Sequence, residues 1–241
     1  MKIFEAQKKG LVKKVLLVGF ASAMAVAPVF AQTIYTLGDL VSSGGTLTID
    51  DKTFSNFAWQ TADAGLNSQA ANLIVTTSSS GGVDYLDFSG AISVDNISGN
   101  GTLMGDLILS YTVTANPGAI NMIDQQYTPL AGTTTNSGQI VIGETVAYNG
   151  VTVANSTLSL NPPDLSDPQP EPGDNLNINP AENQLAVTKD ILIAAYAGNM
   201  VGLTNVEQSF HQVPEPGTML LGSLGGGLLL FLRSRRQTKR D

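Results

Sequence analysis

Three sets of side chains in this 241-residue chain could do chemistry, and none is a strong catalytic constellation. His211 is the only histidine. It stands three residues before Pro214, where the sequence predicts a linker, so a Ser-His-Asp triad or a histidine-ligated metal is not expected. There is no cysteine, which excludes disulfides, thiolate nucleophiles and thiolate metal sites. Carboxylates abound, but scattered surface acids normally serve as solvated charge and not as an acid/base pair. The chain is therefore expected not to be an enzyme.

The second set is Asp164, Asp167, Glu171 and Asp174, close together in a proline-rich stretch. Calcium takes several oxygen ligands on adaptable backbone and is the one ion this stretch would suit. The spacing matches no EF-hand loop, so the expectation is a solvated acidic loop and no cofactor. The third set is aromatic. Trp59 beside Gln60, or Tyr127 beside Gln125 and Gln126, could stack on and hydrogen-bond a sugar; Trp59 also neighbours Phe54 and Phe57, where a lone tryptophan more often fills a core. Triplets beginning at Asn96, Asn100 and Asn155 fit the N-glycosylation acceptor pattern, and the Ser/Thr clusters at 76–80 and 133–137 read as loops or O-glycosylated stretches.

The elements that must position these groups are strands. Leu107, Leu109, Tyr111 and Val113 alternate with mostly polar residues, as in a strand with one buried face. Shorter Val/Ile/Thr/Leu runs at 46–49, 73–76, 83–88, 139–142, 157–160 and 185–188 are separated by turn clusters such as Ser80-Gly81-Gly82 and Asn149-Gly150. No window between the two ends sustains a helical period. The fold class is thus all-β, a single β-sandwich or jelly-roll-like domain over residues 32–212. The interval 161–180 departs from the rhythm; its six prolines predict a loop, an excursion from the sheet and not a domain boundary.

Charge is distributed unevenly. Of the 12 basic residues only Lys52 and Lys189 lie between 32 and 232, whereas of the 20 acidic residues only Glu5 and Asp241 lie outside that stretch. Such a body repels nucleic acid and anionic lipid headgroups. The basic ends flank apolar runs. Residues 1–31 have a lysine-rich start, an uncharged run over 15–27 and a small-residue site before the Ala31–Gln32 bond, which predicts a signal-peptide helix cleaved during export through the Sec machinery. Residues 213–241 open with Val213, Pro214, Glu215 and Pro216, continue into a Gly/Leu-rich helix over 218–232, and end on Arg233, Arg235 and Arg236. That helix is shorter than the ~20 residues of a permanent span, and its basic end stays cytoplasmic, so the acidic body faces outward.

This C-terminal order of tripeptide, apolar run and arginine cluster resembles the PEP-CTERM sorting signal of Gram-negative bacteria. The resemblance implies recognition by an exosortase, a membrane-embedded enzyme of which this chain would be the substrate, a transient stay in the inner membrane, and delivery to the cell surface or extracellular matrix. More weakly, the stretches 51–57, 187–191 and 206–210 resemble segments of other β-rich PEP-CTERM proteins. A noncatalytic surface or matrix protein associated with exopolysaccharide and biofilm is expected, with a polysaccharide-binding module or, third, a glycan-active enzyme as alternatives.

Overall fold

The computed structural model describes residues 34–130, 138–160 and 174–212. The signal peptide with Ala31 and Gln32, most of the proline-rich stretch with Asp164, Asp167 and Glu171, the Ser/Thr cluster at 133–137, and the sorting segment with Val213, Pro214, Glu215, Pro216, Arg233, Arg235 and Arg236 lie outside the described residues.

In chain order the elements are β1 (Tyr35–Thr36), α1 (Leu37–Ser43), β2 (Leu47–Ile49), β3 (Lys52–Gln60), α2 (Ala64–Ala71), β4 (Ile74–Ser80), β5 (Val83–Asp95), β6 (Thr102–Ala115), β7 (Ile120–Pro129), β8 (Gly138–Tyr148), β9 (Val151–Leu160), β10 (Asn175–Glu182), β11 (Gln184–Tyr196) and β12 (Met200–Gln212). They form two six-stranded antiparallel sheets. The first has the order β1-β4-β5-β12-β7-β10 and the second β2-β3-β6-β11-β8-β9. Alternation gives each strand one apolar face, and the two apolar faces share a single core. The expected stripe of β6 is that face: Leu107, Leu109, Tyr111 and Val113 are each at most 2% exposed.

Local chemistry sets the joints. The β4–β5 hairpin closes on Gly81-Gly82 and the β8–β9 hairpin on Asn149-Gly150, all at positive φ, the conformation two-residue hairpins need to match strand twist. In β3 the register shifts between Ser55 and Ala58, with Asn56 at φ 54. This bulge brings both Phe54 and Phe57 inward, although their spacing would otherwise place them on opposite faces. Tyr111 then lies among Phe54, Phe57, Phe88 and Phe210, with ring centroids 5.8–6.4 Å away.

Four expectations are corrected. The body does contain helices. In α1, Thr36 and Asp39 cap each other reciprocally, and in α2 the Asp63 side chain accepts from Leu66 N–H; the two bury Leu37, Leu40, Leu66 and Ala70 in the common core. Seven or eight residues are too few to show a sustained period. The Ser/Thr run at 76–80 is part of β4, not a loop. The predicted loop through residue 180 ends earlier, because Asn175–Glu182 pairs as the edge strand β10, with Pro180 inside an interruption of register between Asn177 and Glu182. An edge strand, with one side free of a ladder partner, accommodates a residue with no N–H to donate. His211 belongs to β12, paired with Met122, and is no linker residue.

Candidate functional site

The least expected feature lies inside the sandwich. Along β11 the inward positions are Leu185, Val187, Lys189, Ile191 and Ile193; along β8 they are Ile140, Ile142, Glu144 and Val146. Polar side chains therefore occupy positions that the apolar period assigns to the core. On the other sheet Gln125 lies between Ile123 and Tyr127, and Gln208 between Val206 and Phe210, in the same phase. Register brings the four together in pairs. Lys189 stands directly opposite Glu144, and Gln125 directly opposite Gln208. Across the core, Lys189 Nζ donates to Gln125 Oε1 at 2.7 Å and lies 3.4 Å from Glu144 Oε1. None of the four is more than 2% exposed.

Neighbours complete this polar centre. Gln125 Nε2 donates to Ser156 Oγ on β9 at 3.1 Å, and Gln208 Nε2 to the Asp124 carbonyl at 2.8 Å. Burial lowers the Lys189 ammonium from its usual range, against the pull of Glu144, and raises the Glu144 carboxyl, against the pull of Lys189. The Tyr111 hydroxyl is raised well above the ordinary value by burial and by Glu144, and among the described residues it has no hydrogen-bond partner.

A second buried ion pair also joins the sheets. Lys52 Nζ on β3 donates to Asp84 Oδ2 on β5 at 2.6 Å and to Asp51 Oδ1 at 3.1 Å; Lys52 is 1% and Asp84 3% exposed. Both lysines of the body thus point inward, and among the described residues no lysine or arginine faces solvent.

The outer faces are acidic and hydroxyl-rich. On the second sheet Asp190 lies beside Asp106; burial, a hydrogen bond to Asp106 and its charge raise the Asp190 carboxyl. On the first sheet Glu207 stands directly opposite Asp87, and burial together with the Asp87 charge raises Glu207 to about 7. A shallow trough of about 430 Å³ on the second sheet is lined by Thr145, Asn155, Thr157, Thr188 and Asp190 over Gly143. A neighbouring one of about 410 Å³ is lined by Gln60, Thr61, Asp63, Met104 and Asp106.

The structure sorts the remaining sequence candidates. Tyr127 and Gln125 are buried while Gln126 is exposed, so these three do not form a sugar platform. Trp59 is half-buried against the core and its Nε1 donates to Asn67 Oδ1 at 2.8 Å. Asn96 is no glycosylation acceptor: it is buried, with its amide donated to the carbonyls of Gly101 and Ala195. Of the four acids proposed for calcium only Asp174 is described, and it turns inward, 6% exposed; its charge acts on Glu144 and Asp124. Among the described residues no three His, Cys, Asp or Glu side chains converge as metal ligands, and no helix is long and apolar enough to cross a membrane.

No curated protein matches the chain. A family model described as the PEP-CTERM protein-sorting motif matches residues 212–236. The match begins at Gln212, the last residue of β12, so the motif starts where the body's final strand ends. It supports export and sorting by an exosortase, a membrane protein. With that motif following directly on an acidic two-sheet body, the chain is a PEP-CTERM sorting-domain-containing protein.

Proposed function

We propose that this protein is a noncatalytic component of the cell surface or extracellular matrix, associated with exopolysaccharide, whose body is released from the inner membrane when an exosortase processes the segment after Gln212. The observation that carries the reading is the joining of the sorting motif to a body that turns both its lysines inward and only acids outward. A surface of one charge sign stays soluble, avoids the anionic membrane it leaves, and associates with basic or cation-bridged polymers.

Comparing the full chain with a variant truncated before Pro214 in an exosortase-containing host tests this. The full chain should reach the outer surface or matrix fraction. The truncated variant should be exported yet missing from that fraction; equal delivery of both would refute the sorting role.

A second reading, a polysaccharide-binding module, is favoured by the trough over Gly143, whose threonines, Asn155 and Asp190 supply the donors and acceptors that sugars use. Saturable binding of the host's exopolysaccharide, lost on Thr157→Val with Thr188→Val, would support it. The Asp106/Asp190 pair does not suit glycoside hydrolysis, since two carboxyls hydrogen-bonded to each other leave no space for a glycosidic bond between them.

A further inference from the structure

The polar centre between the sheets carries chemistry that sorting does not use. We propose that the Lys189 amine and the Gln125 carboxamide condense into an intramolecular amide that covalently joins the two sheets, with Glu144 transferring the protons. The inference stands apart from the surface role proposed above and does not depend on it.

Geometry supplies the three parts such a reaction needs. The nucleophile is placed: Nζ lies 2.7 Å from Gln125 Oε1, so the carboxamide carbon is the next atom along. The proton-transfer group is placed: Glu144 Oε1 is 3.4 Å from the same Nζ. The leaving group is oriented by the hydrogen bond from Gln125 Nε2 to Ser156 Oγ. The residues come from β11, β7 and β8 and are held by register, so their encounter is already intramolecular, and such pre-positioning is worth several orders of magnitude in effective concentration. Lys189, Glu144 and Gln125 are each at most 2% exposed, which restricts the water that would otherwise compete. Burial also favours the uncharged amine and the uncharged acid, the protonation states that attack and donate.

The step balances without oxidant or cofactor. The Nζ lone pair attacks Cδ of Gln125 and a C–N bond forms, while the carbonyl oxygen takes the Glu144 proton. Nζ then gives a proton to the Glu144 carboxylate. As the tetrahedral centre collapses, Glu144 gives its proton to Nε2, the C–Nε2 bond breaks with its electron pair leaving on ammonia, and the hydroxyl re-forms the carbonyl by returning its proton to the Glu144 carboxylate, which restores the starting state. One amine and one carboxamide become one secondary amide and ammonia. The bond closes a 64-residue separation in an exported chain that has no cysteine, where cross-linking constrains the unfolded ensemble as a disulfide does.

Peptide mapping of the denatured full-length chain tests it. A glutamate-specific protease separates Gln125 from Lys189 at Glu144 and Glu182 in the wild-type chain and at Glu182 in Glu144→Gln, while Pro172 blocks cleavage after Glu171. The two peptides should appear as one linked species lighter than their sum by one ammonia, and trypsin should cut after Lys52 but not after Lys189. In Glu144→Gln the linked species should be lost while cooperative unfolding is retained. Two separate peptides of full mass from the wild-type chain would overturn the proposal. So would a linked species lighter by one water, which would assign the bond to Lys189 and the Glu144 carboxyl, or a link formed undiminished in Glu144→Gln. The wild-type map decides even if that variant does not fold.

Discussion

Replacing Lys52 with methionine removes a cation that is 1% exposed and leaves Asp84, 3% exposed, across the sandwich. Asp84 Oδ2 loses its 2.6 Å donor, and among the described residues Oδ1 has no hydrogen-bond partner to take over. Removing one member of a buried ion pair costs about 3–5 kcal/mol. With a urea m-value of about 2 kcal/mol/M, the unfolding midpoint of Lys52→Met should drop by about 1.5–2.5 M. In Lys52→Met with Asp84→Leu, an apolar pair fills similar volume with no charge left at Asp84, while Asp51, 23% exposed, keeps its bond from Gln212 Nε2, so stability should return to within about 1 kcal/mol of the wild type. Urea titrations of the four proteins of this cycle, followed by circular dichroism, measure all of these. A single-variant loss under about 1 kcal/mol, or a double variant as unstable as the single one, would refute the assignment of Lys52 and Asp84 to a buried pair.

Three other outcomes follow from the same structure. Glu207, Asp190 and Asp124 have carboxyls raised in the folded state, chiefly by burial and then by neighbouring acids, so the folded body holds these protons more tightly than the unfolded chain does. That stability is present at low pH and lost as pH rises through about 7, the value for Glu207; the melting temperature should be higher at pH 5 than at pH 8, and Glu207→Gln should flatten the difference, while a rise from pH 5 to pH 8 would contradict the assignment. The Tyr111 hydroxyl is buried with no partner among the described residues, so Tyr111→Phe should change stability by less than about 1 kcal/mol, toward greater stability; a larger loss by urea titration would show that the hydroxyl is hydrogen-bonded. In the native body neither Lys52 nor Lys189, 1% and 0% exposed, should react with an amine-acylating reagent, and rapid labelling of either, read by mass spectrometry, would place it at the surface.

The parts of the protein legible in the sequence are those written in short linear patterns. The β6 stripe, the Gly81-Gly82 and Asn149-Gly150 turns and the terminal motif each need only neighbouring residues. The polar centre is not legible there, because a single Lys or Glu in a strand gives no sign of its partner. The signal was present: Lys189 and Glu144 each interrupt a run of Ile, Leu and Val at an inward position, and a charge in the core phase of a strand must find a partner. Which partner it finds depends on pairing across the two sheets, between residues as far apart as Gln125 and Lys189, and no local pattern records that. The bulge at Asn56 is hidden for the same reason, since it becomes visible only when Phe54 and Phe57 are both seen to be buried. The two helices escaped because their caps, Thr36 with Asp39 and Asp63 alone, start elements too short to be periodic.

The central claim is that the motif after β12 is a processing signal and not a permanent anchor. Intact mass and terminal sequencing of the protein recovered from an exosortase-containing host test it most directly. A mature chain that begins at Gln32, ends near Pro216 and is found outside the inner membrane is the expected result. A chain that keeps its arginine-rich end and stays in the membrane would contradict the claim and make the body a tail-anchored ectodomain.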